Sequence, residues 1–315
     1  PHTPFISPPE FYQRYDPAHV PLPPGWRQQD WPRHPAMEFL RDCFDLQEPF
    51  PEDVVRRANT AYLGLCSFVD HQVGRVLQAL ADSGQADNTR VIYTTDHGES
   101  MGARGIVGKF TMYDESAAIP MVMAGPDVPQ GRTVQTPVSL VDVFPTVLDA
   151  VGASATVDDA ELPGRSLLQI ASKPDEERTV LSEYHAIGSR HATYMLRDRR
   201  HKYIHYHNDP AELYADGDSA ELHNLALDGQ HAATVADMEG RLRSILDPDA
   251  VDRAAKRDQR CYAEARADDP VQWPPPTDGP IITYTTIPPE LDPGLMHDPA
   301  TCLPNWRPMR DMPDN

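Results

Sequence analysis

Thr94-Thr95-Asp96-His97-Gly98-Glu99-Ser100-Met101-Gly102-Ala103-Arg104-Gly105-Ile106-Val107-Gly108-Lys109 is the stretch on which the reading of this chain turns. Ahead of it runs Val91-Ile92-Tyr93, an apolar run that, bounded by glycine, predicts a buried strand. Asp96 and His97 fall at the carboxyl end of that strand, where open α/β sheets place their ligands. Carboxylate and imidazole both offer lone pairs to a divalent cation, so the two are candidate metal ligands. Neighbours on a strand point to opposite faces. Both reach one ion only where the strand ends and the backbone turns, and Gly98 permits that turn. Lys109 follows Asp96 by 13 positions, after a glycine-rich turn. A metal and a nearby ammonium together hold a tetrahedral oxyanion.

Working outward, Val54, Ala58, Ala61, Leu65, Phe68, Val69, Val73, Val76, Leu77 and Leu80 recur at helical spacing. They predict a long amphipathic helix over 51–82, with Pro51 in its first turn and Gly84 at its stop. A second strand is expected at 119–124, and a helix over 139–151 from a Ser139 cap to Gly152. Helix, strand, loop, strand, helix in that order predicts an α/β fold with a mostly parallel central sheet flanked by helices. Residues 1–50, rich in proline and aromatics, read as a long ordered loop with short helical turns. From 178 the pattern changes. Thr179–Tyr184, Ala192–Arg197 and His201–His207 predict short strands, with a helix over 232–247. Residues 248–315 read as an irregular, proline-rich tail that wraps another surface or another subunit. The expected division is thus 1–177, 178–247 and 248–315.

Several of these segments resemble the sulfatase family of the alkaline-phosphatase superfamily. The resemblance rests on the strand–Asp-His/Asn-Gly-Glu–glycine loop–Lys pattern over 91–109, on Asp114-Glu115-Ser116 with Ile119-Pro120-Met121-Val122, and on Val138–Thr146. Leu213-Tyr214-Ala215-Asp216 and Glu221–Leu225 continue it, and in the family that segment closes a small antiparallel C-terminal sheet. His97 in place of Asn is similar to the choline-sulfatase and phosphonate monoester hydrolase branch. The resemblance implies an alkaline-phosphatase-like fold. It makes Asp96 and His97 ligands of one divalent ion, completed by two acidic residues from a more N-terminal part. Ca²⁺ and Mn²⁺ both suit such a site, and Zn²⁺ suits it less because the remaining ligands would be carboxylates. It places Lys109 against the sulfate and the nucleophile, as a point charge on developing negative charge. Pro1-His2-Thr3-Pro4-Phe5 resembles the family's His-x-Pro-Phe segment, which makes His2 an aid to the leaving oxygen. Glu99 is expected to cap the loop or orient His97, and Arg104 to be an ordinary loop charge. His185 is a weaker candidate for the substrate rim. His201, His205 and His207 alternate along one strand face, an arrangement that serves a metal or a polar sheet face equally well.

The family's nucleophile is a formylglycine made from a Cys/Ser-x-Pro/Ala-x-Arg segment. None of Cys43, Cys66, Cys261 or Cys302 is followed by that pattern. The cysteines show no metal-ligand spacing and are expected to be free thiols, with a Cys261–Cys302 bridge as the alternative. The chain opens without Met, so it is expected to be the C-terminal portion of such an enzyme and inactive by itself. The net charge of −20 argues against nucleic acid as a partner but not against a small anion held by a local metal and lysine. No apolar run approaches the roughly 20 residues of a membrane span. The expected activity is hydrolysis of a small sulfate ester. A phosphonate monoester or phosphodiester hydrolase on the same scaffold is the first alternative, and a non-catalytic structural or binding chain the second.

Overall fold

The computed structural model describes residues 1–156, 159 and 161–265. Two short helices, α1 (Pro9–Tyr12) and α2 (Pro35–Cys43), and a 3-10 turn at Gln28–Asp30 punctuate an N-terminal stretch that otherwise runs through turns and irregular chain. The long helix α3 (Glu52–Asp82) starts with acidic residues in its first turn, and Arg56 and Arg57 pair back to Glu52 and Asp53 at 2.8 and 2.6 Å. Gly84, at φ +72°, takes the left-handed turn that ends it. Strand β1 (Val91–Thr94) follows, then α4 (Asp114–Ala117), strand β2 (Met121–Ala124), α5 (Val143–Ala150) and α6 (Leu167–Ser172). Strands β3 (Val180–Tyr184), β4 (Thr193–Arg197), β5 (His201–Tyr206) and β6 (Glu212–Ala215) form a meander, closed by α7 (Ala232–Ile245) and α8 (Pro248–Ala265).

The expectation of a mostly parallel sheet is overturned. β1 and β2 pair antiparallel, Val91 opposite Ala124 and Thr94 opposite Met121. Every pair in the four-stranded sheet is antiparallel as well. A parallel pair needs a crossover of a dozen or more residues, usually a helix, to carry the chain back along the strand. Between β1 and β2 the regular structure is one 3-10 turn and the four-residue α4, so the chain reverses instead. The tail also departs from expectation at its start. Residues 248–265 form α8 rather than irregular structure. The rest of the proposed tail, the oligomer contact assigned to it and Cys302 lie outside the described residues. Cys43 and Cys66 are half-buried free thiols, and Cys261 is a free exposed one.

The four-stranded sheet is buried on both faces, as the uniformly buried Thr193–Leu196 shows. Strand alternation sorts its side chains. Met195, Ile204, Tyr206 and Tyr214 pack on Met37 and Leu40 of α2, on Phe44 just past its end, and on Ile106, Met112 and Tyr113. Tyr194, Leu196, Tyr203 and Leu213 pack on Met238 and Leu242 of α7. His205 and His207 lie on that second face, each with its own helix carboxylate. His205 is 2.9 Å from Glu239, and His207 is 3.3 and 3.5 Å from Asp249 and Asp252. They fasten α7 and α8 to the sheet.

Asp142 ties α5 to the sheet. It is fully buried, accepts from the Ser139 and Arg165 amides at 2.8 Å, and receives both guanidinium arms of Arg178 at 2.7 Å. Burial works upward on its carboxyl, but the hydrogen bonds from Arg178, Arg165 and Ser139 outweigh it and hold the group below the ordinary carboxylate range. Asp142→Asn strands a buried guanidinium and should cost about 3–5 kcal/mol in urea unfolding. Because the folded carboxyl titrates lower than the unfolded one, its contribution is complete above the unfolded value and fades as pH falls. The stability gap between wild type and D142N should therefore narrow below about pH 4.

Candidate active site

The chain leaves β1 into a loop that is folded shut from within. The Gly98 amide donates to Ser116 O at 2.8 Å, and a Cβ at Gly98 would sit 2.1 Å from Glu115 O. Only glycine lets the strand end approach the chain entering β2 so closely. Ser100 N donates to Gly108 O at 2.8 Å and Gly102 N to Ile106 O at 2.9 Å, so the arms of the loop are laced together. Glu99 closes it, its Oε1 accepting from Gly108 N at 2.5 Å. Residues 100–108 are buried, and Lys109 emerges from the end of this fixed loop into partial exposure.

His2, Asp96, His97 and Lys109 come together at that point. Lys109 Nζ lies 2.5 Å from His2 Nε2, while His2 Nδ1 lies 2.9 Å from Thr3 O. The carbonyl takes the Nδ1 proton, so Nε2 presents its lone pair to the ammonium. The His2 and His97 rings meet edge to face at 6.1 Å between centroids. His97 repeats the arrangement of His2. Its Nδ1 donates to Gly98 O at 2.9 Å, which turns Nε2 toward Asp96 Oδ2 at 3.4 Å. Two lone-pair groups facing each other at that distance call for a cation or a proton between them, and one ion spans two donors so spaced. The Asp96 side chain is 80% exposed. The slight desolvation it suffers works upward, but hydrogen bonds from backbone amides and from Thr95, with the His97 ring, hold its carboxyl below the ordinary range. Among the described residues no group of three or more His, Cys, Asp or Glu side chains is placed to hold a metal. The pair fits a divalent ion as two of its ligands, with the others coming from elsewhere.

Arg104 is the residue that sequence reasoning missed. It is not a loop charge. It is 2% exposed, at φ +54°, and grips Glu115 with both carboxylate oxygens at 2.8 and 2.7 Å from Nη1. Nη2 donates to Ala220 O, and the guanidinium lies 4.0 Å over the Tyr113 ring. Desolvation opposes its charge, but Glu115 more than compensates and raises its pKa. Around it Lys202 pairs with Asp114 and, at 2.6 Å, with Glu221, while Glu212 accepts from the Tyr113 and Tyr206 hydroxyls. The signal in the sequence was the bracketing of Arg104 by Gly102 and Gly105, which marks a tightly bent, close-packed loop. His185 stays apart from the four. It packs on the Tyr194 ring at 5.5 Å, 3.3 Å from Glu183.

The sulfatase family pattern matches residues 1–153, and that of the C-terminal part of N-sulphoglucosamine sulphohydrolase matches 102–247. Arylsulfatase K of Danio rerio is 32% identical over 263 residues, covering 80% of this chain and 49% of that protein. Choline-sulfatase of Rhizobium meliloti (strain 1021) is 28% identical, covering 82% and 51%. Among solved structures, phosphonate monoester hydrolase SpPMH from Silicibacter pomeroyi superposes with a TM-score of 0.68 at 29% identity, over 78% of this chain and 53% of that one. The chain belongs to the sulfatase family of the alkaline-phosphatase superfamily. It spans about half the length of the curated relatives it matches.

Arg104→Met removes the guanidinium and leaves the Glu115 carboxylate and the Ala220 carbonyl without their donor. It should lower stability by about 3–5 kcal/mol, read as a drop in Tm. Arg104→Lys, whose single ammonium can reach Glu115 but not the Ala220 carbonyl and the Tyr113 ring face at the same time, should recover only part of that loss.

Proposed function

We propose that this chain supplies the metal-and-anion half of a hydrolase acting on sulfate monoesters. The observation that carries the reading is the convergence of the Lys109 ammonium, the His2 imidazole and the Asp96–His97 pair at the carboxyl end of β1. Asp96 and His97 would hold a divalent ion, Ca²⁺ or Mn²⁺, which when bound supplies Lewis-acid charge to the ester oxygens. His97 is prepared for this by the Gly98 carbonyl, which fixes its Nδ1 proton and leaves Nε2 free. Lys109 lies on a loop that cannot drift, so its charge meets the anion without reorganising. His2 would aid a departing alkoxide only with a proton on Nε2, the nitrogen that now accepts from the Lys109 ammonium, so that proton would come from Lys109. The nucleophile, a formylglycine in this reading, belongs to a polypeptide part outside this chain.

A second reading keeps the scaffold and changes the substrate. Phosphonate monoester hydrolases from Silicibacter pomeroyi and Agrobacterium radiobacter superpose with TM-scores of 0.68 and 0.67. A metal and a lysine stabilise phosphoryl and sulfuryl transfer alike.

The test joins the chain to a nucleophile-bearing N-terminal part and compares an aryl sulfate with an aryl phosphonate monoester. The sulfate should give the higher kcat/KM. Lys109→Ala should lower kcat by about 10²–10³, the loss expected of one oxyanion-stabilising group. His2→Ala should slow alkyl esters more than activated aryl esters, whose leaving group needs no proton. Full activity in both Asp96→Ala and Lys109→Ala would sink the assignment.

A further inference from the structure

The C-terminal sheet has a bare edge at β3. Among the described residues β3 pairs with β4 alone. Its sequence, Val180-Leu181-Ser182-Glu183-Tyr184, holds one charge and no proline, so it lacks the features that keep an exposed edge from pairing. Both ends of this edge have a distinctive neighbour. At the carboxyl end α8 passes His185, whose carbonyl accepts from the Gln259 side chain. At the amino end Val180 sits opposite Arg197, and the turn beyond carries Arg199 and Arg200. Arg199 pairs with Glu177 only loosely, at 3.9 Å. Arg200 is exposed and makes no ion pair among the described residues. That turn is a spot of poorly answered positive charge on a chain of net charge −20.

The sequence past α8 contains a segment that fits both features. Ile281-Ile282-Thr283-Tyr284-Thr285-Thr286-Ile287 is a run of β-branched residues and one tyrosine, with Gly279-Pro280 before it and Pro288-Pro289 after it. Such a composition between such breakers reads as a strand. Glu290 and Asp292 follow at once, and no Lys or Arg occurs over 267–306. From Gln259, at the carboxyl end of β3, α8 advances roughly 9 Å to its last residue, Ala265. Ile281 lies 16 positions further on, a reach of roughly 50 Å, so it can start beside Tyr184. A strand that starts there and runs antiparallel to β3 ends beside Val180. Its ladder stops at the two prolines, which have no amide proton to donate, and the two acids emerge at the arginine turn. A parallel strand would carry them to the opposite end. A second copy of β3 is a poor occupant of the edge, because chains of charge −20 repel and β3 brings no carboxylate to Arg199 and Arg200. The matched family patterns end at residue 153 and at residue 247, so this segment lies outside them.

We propose that Ile281–Ile287 adds a fifth, antiparallel strand to the open edge of β3, with Glu290 and Asp292 set against Arg199 and Arg200. The same chain thereby covers its own sheet edge. The pairing is independent of any chemistry at Asp96, His97 and Lys109.

Hydrogen exchange on the full chain tests this pairing. Amides of Ile281–Ile287 should exchange at least about 10-fold more slowly than in a free peptide of the same sequence. Thr285→Pro with Thr286→Pro puts a proline at a position that must face β3, whichever the register. The pair should abolish that protection and speed exchange within Val180–Tyr184 at least about 10-fold, while β4 and β5 keep theirs. Arg199→Glu with Arg200→Glu should speed exchange at Ile281–Ile287 by about threefold or more, and adding Glu290→Arg with Asp292→Arg should restore it. Exchange at Ile281–Ile287 as fast as in the free peptide would overturn the proposal. So would β3 exchange untouched by the two prolines, failure of the charge swap to restore protection, or a dimer that the two prolines dissociate, since the strand would then belong to a partner copy.

Discussion

Arg104 carries a full positive charge into a place that water scarcely reaches, and the shape of the loop depends on that charge being answered. An unpaired guanidinium there would cost several kcal/mol. Glu115 answers it with both oxygens, the Ala220 carbonyl with a lone pair, and Tyr113 with its ring face. These partners come from two separate parts of the chain, both outside the loop that carries Arg104. The pairing therefore fixes where the loop after β1, the start of α4 and the segment after β6 lie relative to one another.

The Asp96–His97 turn and Lys109 inherit their placement from that arrangement. Glu115 is held by Arg104 through its side chain, and its backbone lies against Gly98. The turn bearing His97 thus rests on the residue that the loop arginine grips. Beneath, the four-stranded sheet supplies a polar floor of Lys202, Glu212 and Tyr206 on one strand-alternation face. Burial raises the Tyr206 and Tyr113 hydroxyls well above their ordinary range, with Glu212 adding to it, so they remain donors to that carboxylate. The site loop is in this sense an upper layer of the C-terminal sheet.

Much of this was legible in the sequence. The period of α3, the strand runs of β3 to β5, and the Ser139 and Gly152 limits of the helical region that includes α5 follow from local rules, and so does the grouping of Asp96, His97 and Gly98 at a strand end. The family's motifs added His2 and Lys109, which no spacing rule could have brought together across 107 positions. Strand direction was not legible. An apolar run of four residues reads the same whichever way its partner travels, and the connection between β1 and β2 lacks the helix that would have forced a parallel return. The glycines around Arg104 hinted at a close-packed loop, but its partners were not legible. Glu115 and Glu221, its acidic neighbours, lie 11 and 117 positions away, and a charged residue in a loop is exposed by default. Helix α8 was obscured by the proline-rich composition of the segment it opens.

Loops that carry reactive groups usually vary in length and sequence because they lie over the surface. The one ending at Lys109 is buried over residues 100–108, its arms bonded to each other and Trp31 packed against Gly105. Trp31 leaves no room for even a methyl group on Gly105. A loop so constrained cannot be remodelled without disturbing what packs on it. The lysine is thereby held in one place, and variation in this region falls to chain segments that border the loop without being part of the core.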